Sequence, residues 1–235
     1  MKLVRVNTPE KSFFVLWFGK VPESLASDFT LTRPALASSL QGNSDTSFLF
    51  SRDSSVLVKL HRSPPTYVGK PYKWIKKELL QSRILFRNLT FKEFKSQKKL
   101  ERLGFDIPKT YGWGVVLNPF SKIQAIMSSE FLAGSVDSRE VIAKGDDEVT
   151  RGMVAKWSQE LGKLYAKGYY HTDPHIGNFL FHERRSVWID SRIKPVEIGK
   201  KGEQSVFDYY KKYVSKYGEE VFQHFAVGFY QGACS

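Results

Sequence analysis

The chain has 235 residues, 41% hydrophobic and 26% charged, a composition that excludes a disordered or fibrous protein and suffices for a core without cross-links. Its one cysteine, Cys234, excludes an internal disulfide framework and a cysteine-rich zinc site. The net charge is +12, concentrated between Lys59 and Arg102, where thirteen lysines and arginines face only Glu78, Glu93 and Glu101. A field of that density attracts polyanions: nucleic acid, an anionic membrane face, or an acidic or phosphorylated substrate.

In chain order, the apolar run at residues 12–18 predicts a strand. It is far shorter than a membrane span and has no cleavage pattern behind it, so the expected location is cytoplasmic. Residues 46–50 and 55–60 read as two further strands joined by a turn at Arg52-Asp53-Ser54. Residues 61–88, with Ser63-Pro64-Pro65 and Gly69-Lys70-Pro71, form a basic insert with no readable period. A helix is predicted from about Thr90 to Leu103. Thr90-Phe91-Lys92-Glu93 has the form of a capping box, and Gly104 is placed to stop the helix.

Residues 123–127 predict a buried strand. A second long helix over 149–167 puts Val154, Trp157, Leu161, Leu164 and Tyr165 on one face and stops at Gly168. Two short strands, 178–181 and 187–189, come next, and the last forty residues read as helical. Strands first and helices later predict an α+β chain of two lobes. The first, residues 1–129, is β-rich and carries the basic insert; the second, residues 130–235, is mainly helical.

The segment following Gly168 carries the chemistry. His171-Thr172-Asp173-Pro174-His175-Ile176-Gly177-Asn178 is followed by the strand Val187-Trp188-Ile189 and then Asp190. Phosphoryl transfer needs one carboxylate to orient an attacking hydroxyl and take its proton, and an amide oxygen with a second carboxylate to hold Mg²⁺ against nucleotide phosphates. Asp173 fits the first role; Asn178 and Asp190 fit the second. The bland alternative is a turn in which Asp173 and Asn178 bond local backbone.

Lys59 ends an apolar strand, where a cation is expensive unless it meets an anion such as a phosphate; the alternative is an edge lysine whose stem snorkels. Glu93 could pair with Lys59 or serve the Thr90 cap, and Glu78 is the other available partner. The strand running into Glu130 and Phe131 has the form of a hinge whose backbone meets adenine. Gly42, Asn43 and Ser44 stand where a phosphate-covering loop is expected, without the usual run of glycines. His171-x-Asp173-x-His175 also has metal-ligand spacing, but no second cluster accompanies it; His171 is read as a scaffold for the loop.

Taken together, residues 171–179, Ile189-Asp190, Lys59 and Met127-Ser128-Ser129-Glu130-Phe131-Leu132-Ala133-Gly134 resemble the lipopolysaccharide core heptose kinases, particularly the heptose(II) branch. The helix before Gly104 resembles the related Kdo kinases. The resemblance implies a small bilobal protein-kinase-like fold and ATP- and Mg²⁺-dependent phosphorylation of a sugar, a heptose, in the lipopolysaccharide inner core. It implies the core oligosaccharide as partner and a peripheral position on the anionic cytoplasmic face of the inner membrane. Ser191 and Arg192 after Asp190 replace the Phe-Gly of protein kinases. Two other classes compete: a non-catalytic pseudokinase or adaptor on an anionic surface, and a nucleic-acid-binding protein suggested by Tyr67, Tyr72 and Trp74 among the lysines. The last has no recognised module behind it, so no nucleic-acid partner is expected; the sequence leaves oligomeric state open.

Overall fold

A computed structural model describes residues 1–26, 29–33, 46–63, 70–138, 147–182 and 185–235. Gly42, Asn43 and Ser44 lie outside these residues. The chain divides into two compact units, one of Met1–Lys98 and Pro108–Ala133 and the other of Lys99–Ile107 and Gly134–Ser235.

The first unit is built on a closed seven-stranded barrel, where the sequence indicated only a β-rich lobe. It comprises β1 (Lys2–Asn7), β2 (Ser12–Gly19), β3 (Phe29–Thr32), β4 (Thr46–Ser51), β5 (Val56–Arg62), β6 (Thr110–Val116) and β7 (Ile123–Glu130). The order around it is β1-β2-β6-β7-β5-β4-β3, and a short parallel pairing of Val6 and Asn7 with Phe29 and Thr30 closes it. Period-two alternation decides which side chains fill it: Phe13, Val15 and Trp17 of β2 are buried, as are Val56, Val58 and Leu60 of β5, in one apolar cluster. Closure removes the sheet edges that would otherwise be open to pairing. A short helix, α1 (Glu23–Ala26), leads into β3.

The opposite face of β5 carries Lys59 and His61, both buried. On the outside of the sheet, Trp113, Val115 and Met127 form a second cluster with Phe18, Phe86, Phe91 and Phe94. The last two belong to helix α3 (Leu89–Arg102). The capping box expected at Thr90 does not form. Asn88 Oδ1 accepts the Phe91 N–H at 2.8 Å instead, so the helix begins one residue before Thr90, whose hydroxyl is buried without a hydrogen-bond partner. Its end is the expected one: Gly104 has φ of 82°, Gly104 N–H donates to Glu101 O at 3.1 Å and Phe105 N–H to Leu100 O at 3.1 Å, a Schellman stop that buries Leu100 and Phe105.

The basic insert is helical but not α-helical. After the short α2 (Pro71–Lys73), residues Trp74–Ile84 form a π-helix. Residues four and five apart share a face in such a helix, because its hydrogen bonds run i to i+5. Glu78 and Arg83 therefore both point inward, and both are buried. Arg83 bonds Glu78 and also donates to the backbone carbonyls of Val116, Asn118, Ser121 and Ile123, clamping the β6–β7 turn. Glu78 additionally accepts from Ser63 and Gln124. A carboxylate and a guanidinium this deep are tolerated because every charge is bonded.

The second unit is mainly helical, with α4 (Asp147–Ala166), α5 (Lys200–Val214) and α6 (Glu219–Ala233). The predicted stripe of Val154, Trp157, Leu161, Leu164 and Tyr165 is buried against aromatic residues of α5 and α6, among them Phe207, Tyr210, Phe225 and Phe229. Helices α4 and α6 approach closely through glycine: a methyl group at Gly228 would lie 2.1 Å from Ser158 Oγ, and one at Gly232 2.0 Å from Gln159 O. Short strands complete the unit, β8 (Val136–Asp137), β9 (Tyr169–His171), β10 (Phe179–His182), β11 (Arg185–Trp188) and β12 (Ile193–Pro195), in sheets ordered β11-β10-β8 and β12-β9. No helix among the described residues is long and apolar enough to cross a membrane.

Candidate active site

In the first unit, Lys59 and Glu93 meet. Lys59 Nζ donates to both carboxylate oxygens of Glu93 at 2.9 Å, with the two side chains 10% and 3% exposed. The pairing crosses from β5 to α3, and His61 Nε2 stands 3.5 Å from the same carboxylate. Glu78, the alternative partner, is committed to Arg83. Lys59 is thus a buried, paired ammonium whose position is set by a helix distant in sequence, and it is no snorkelling edge residue.

Glu130 ends β7 and Phe131 follows it. Both N–H groups are engaged by the unit's own backbone, Glu130 with Lys109 O at 2.8 Å and Phe131 with Ser55 O at 2.9 Å. The Phe131 ring packs edge-on against Phe50, 5.0 Å between centroids. The segment is a firm strand exit whose next backbone donor is Leu132.

In the second unit, the loop from His171 to Asn178 is organised around its own backbone. Asn178 Nδ2 donates to Asp173 O at 3.0 Å, and His175 N–H donates to the same carbonyl at 2.7 Å. His175 caps the 3₁₀ turn Ile176–Asn178 by accepting Gly177 N–H on Nδ1 at 3.0 Å. The local bonding that would define a simple Asx turn is therefore present, but it runs through the Asn178 amide nitrogen and the Asp173 carbonyl. The side-chain oxygens of both residues are not what closes the loop.

Asp190 is tied to this loop through backbone. Ile189 N–H donates to Asn178 O at 2.9 Å, next to the antiparallel pairing of Phe179 with Trp188. On the far side, Thr172 N–H donates to Arg192 O at 2.8 Å and Ile193 pairs with His171. Asp190 itself has φ of 48°, a left-handed conformation that aspartate tolerates better than most residues. The turn at Asp190 thus falls between two strand pairings that hold both of its flanks to the Asp173 loop. Arg192 reaches back to Asp173, Nη2 to Oδ2 at 3.4 Å, in a half-exposed pair.

His171 is fully buried, stacked on Trp188 at 5.2 Å, and burial lowers its pKa to about 4. It is neutral near pH 7. Its Nδ1 accepts the Asp173 N–H at 3.1 Å and its Nε2 faces the Arg192 N–H at 3.4 Å, which makes His171 the post between the two flanks of the loop. Two consecutive tyrosines of α5 hold the same strand: Tyr210 Oη accepts His171 N–H at 2.8 Å, and Tyr209 donates to Thr172 O. Burial raises the pKa of both phenols, with the Tyr213 hydroxyl adding to the rise at Tyr209. Nothing local in the sequence marks Tyr209, Tyr210 or Arg192 as loop-holding residues, because each acts across a long sequence separation.

Among the described residues no three His, Cys, Asp or Glu side chains gather as a metal site. Asn178 and Asp190 offer two oxygen donors, a set suited to a hard cation whose remaining ligands are phosphate and water, and unsuited to zinc.

Comparison with known proteins adds the family. The profile described as "Lipopolysaccharide kinase (Kdo/WaaP) family" matches residues 28–194, most of the chain. Curated proteins give no sequence match. Among solved structures, WaaP in complex with acyl carrier protein aligns over 98% of this chain and 89% of its own, at 15% identity and a TM-score of 0.51, a likeness of fold. WbdD with the kinase inhibitor LY294002 aligns over 82% of this chain and 44% of its own at 16% identity (TM-score 0.47), and a glucosamine kinase over 93% and 69% at 11% (TM-score 0.42). With a family profile spanning both the Lys59 strand and the Asp173–Asp190 loops, on a kinase-like mixed α/β fold, the chain belongs to the Kdo/WaaP lipopolysaccharide kinases, phosphotransferases that act on sugar hydroxyls in lipopolysaccharide biosynthesis.

Proposed function

We propose that this chain uses ATP and Mg²⁺ to phosphorylate a heptose of the lipopolysaccharide inner core, and that its two units are the two lobes of a kinase. The supporting observation is the loop in which Asn178 Nδ2 binds the Asp173 carbonyl while Asn178 O receives Ile189 N–H, so that one backbone network carries the base and both candidate metal ligands. In this reading Asp173 accepts the proton of the sugar hydroxyl as its oxygen attacks the γ-phosphorus. The bond from that phosphorus to the β,γ-bridging oxygen breaks, and ADP leaves.

With its amide nitrogen on Asp173 O, Asn178 presents Oδ1 as a neutral ligand, and Asp190 supplies a charged one. Mg²⁺ bound there neutralises phosphate charge. Lys59, fixed by Glu93, is assigned to the α- and β-phosphates. The segment at Glu130 and Phe131 is assigned to adenine, with Leu132 N–H as the donor since the two preceding N–H groups are taken. Gly42, Asn43 and Ser44 are assigned to covering the phosphates. The acceptor sugar belongs to a lipid-anchored molecule, so the protein works at the cytoplasmic face of the inner membrane.

Incubation with ATP, Mg²⁺ and purified core oligosaccharide is expected to add roughly 80 Da per phosphate, read by mass spectrometry. Asp173→Asn is expected to lower the rate about 10²–10⁴-fold. Retained transfer in that variant would remove Asp173 from its role. A chain that shows no nucleotide-dependent rise in melting temperature would instead be the non-catalytic adaptor.

A further inference from the structure

The π-helix leaves an outward face that the kinase chemistry does not use. Ile75, Leu80 and Ile84 are 46%, 45% and 55% exposed, and their spacing of five and four places them on one stripe only because the winding is π. At α-helical spacing Leu80 and Ile84 would still share a face, but Ile75 would turn away, about 140° from Leu80. Phe120, 83% exposed, stacks on Trp74 at the N-terminal end of that helix.

The exposed charges of the helix itself are all of one sign. From residue 70 to 89 the only acid is Glu78, buried against Arg83, while Lys70, Lys73, Lys76, Lys77 and Arg87 are exposed. Half-exposed aliphatic side chains on a convex helix, bordered by cations and cleared of exposed acids, combine the two features that seat a helix in a bilayer interface: apolar area to bury and lysines to meet anionic headgroups.

We infer that the Ile75–Leu80–Ile84 stripe, with Lys76 and Lys77 beside it, is the surface by which this protein lies on an anionic lipid bilayer. The inference deepens the reading that the acceptor is presented at a membrane, and it gives the π winding a purpose: the same register that buries Glu78 and Arg83 gathers the aliphatic residues outward.

Co-sedimentation of the full chain with phosphatidylethanolamine vesicles, with and without phosphatidylglycerol, tests it. Wild type is expected to sediment with the phosphatidylglycerol vesicles and to be released by salt. Lys76→Gln/Lys77→Gln should weaken partitioning about 25-fold, at roughly five-fold per cation. Ile75→Ser/Leu80→Ser/Ile84→Ser should abolish partitioning while the chain stays folded by circular dichroism, since the three side chains are only about half buried. Both variants should phosphorylate lipid-free oligosaccharide as wild type does. Equal sedimentation of the serine variant and wild type, or wild-type indifference to phosphatidylglycerol, would overturn the assignment. Loss of vesicle binding and absence of oligosaccharide phosphorylation are separate readouts, so failure of this surface and failure of the kinase reading are told apart.

Discussion

Lys59→Met gives the sharpest test of the first unit. The substitution keeps the apolar stem and removes the charge, which strands the Glu93 carboxylate at 3% exposure without its ammonium partner, the His61 ring standing 3.5 Å away. Removing one partner of a buried ion pair costs about 3–5 kcal/mol, most of it the desolvation of the group left behind. With a urea dependence of about 2 kcal/mol per molar, the unfolding midpoint should fall by roughly 2 M, followed by tryptophan fluorescence. Lys59→Met/Glu93→Leu removes both charges and should recover most of that loss, because apolar residues of similar volume often replace a buried pair at little cost. Phosphoryl transfer should be lost in both variants. The pair therefore separates stability from catalysis: the double variant is stable and inactive. A single variant as stable as the double would refute the claim that Glu93 is a buried carboxylate dependent on Lys59.

Three further outcomes are expected from the second unit. Burial holds the His171 pKa near 4 against an ordinary 6.5, so the unfolded chain binds a proton there first as pH falls. The stability this neutral histidine contributes is whole above pH 6.5 and declines as pH drops toward 4, by on the order of 3 kcal/mol; His171→Gln should flatten that part of the urea-midpoint profile. Tyr210→Phe deprives the buried His171 N–H of its acceptor and should cost about 1–3 kcal/mol in urea unfolding, with a reduced kcat as the loop loosens. Gly232→Ala would ordinarily stabilise a helix by about 1 kcal/mol, yet here the methyl meets the Gln159 carbonyl, so thermal melting should show net destabilisation of about 1–3 kcal/mol.

The contrast between what was legible and what was not follows sequence distance. The Asp173–Asn178 loop, the stripe of α4 and the stop at Gly104 are each contained in a few turns of chain, and periodicity and spacing expose them directly. The choice between Glu93 and Glu78 for Lys59 was open because both lie in one basic stretch. It was decided by Arg83, which claims Glu78 five residues away only because the segment winds as a π-helix, and which is itself held by four backbone carbonyls more than thirty residues distant. The Thr90 capping box was a valid local pattern that lost to Asn88, since starting the helix earlier frees Glu93 for Lys59.

The amino-acid sequence by itself determined the family, because the residues of the second unit that carry the resemblance lie within a few turns of chain of one another. Tertiary structure alone decided that the sheet closes into a barrel, that residues 74–84 wind as a π-helix, and that Tyr209, Tyr210 and Arg192 hold the Asp173 loop. Each of these depends on contacts between remote segments, whose free energy outweighs local preference only when the chain is folded.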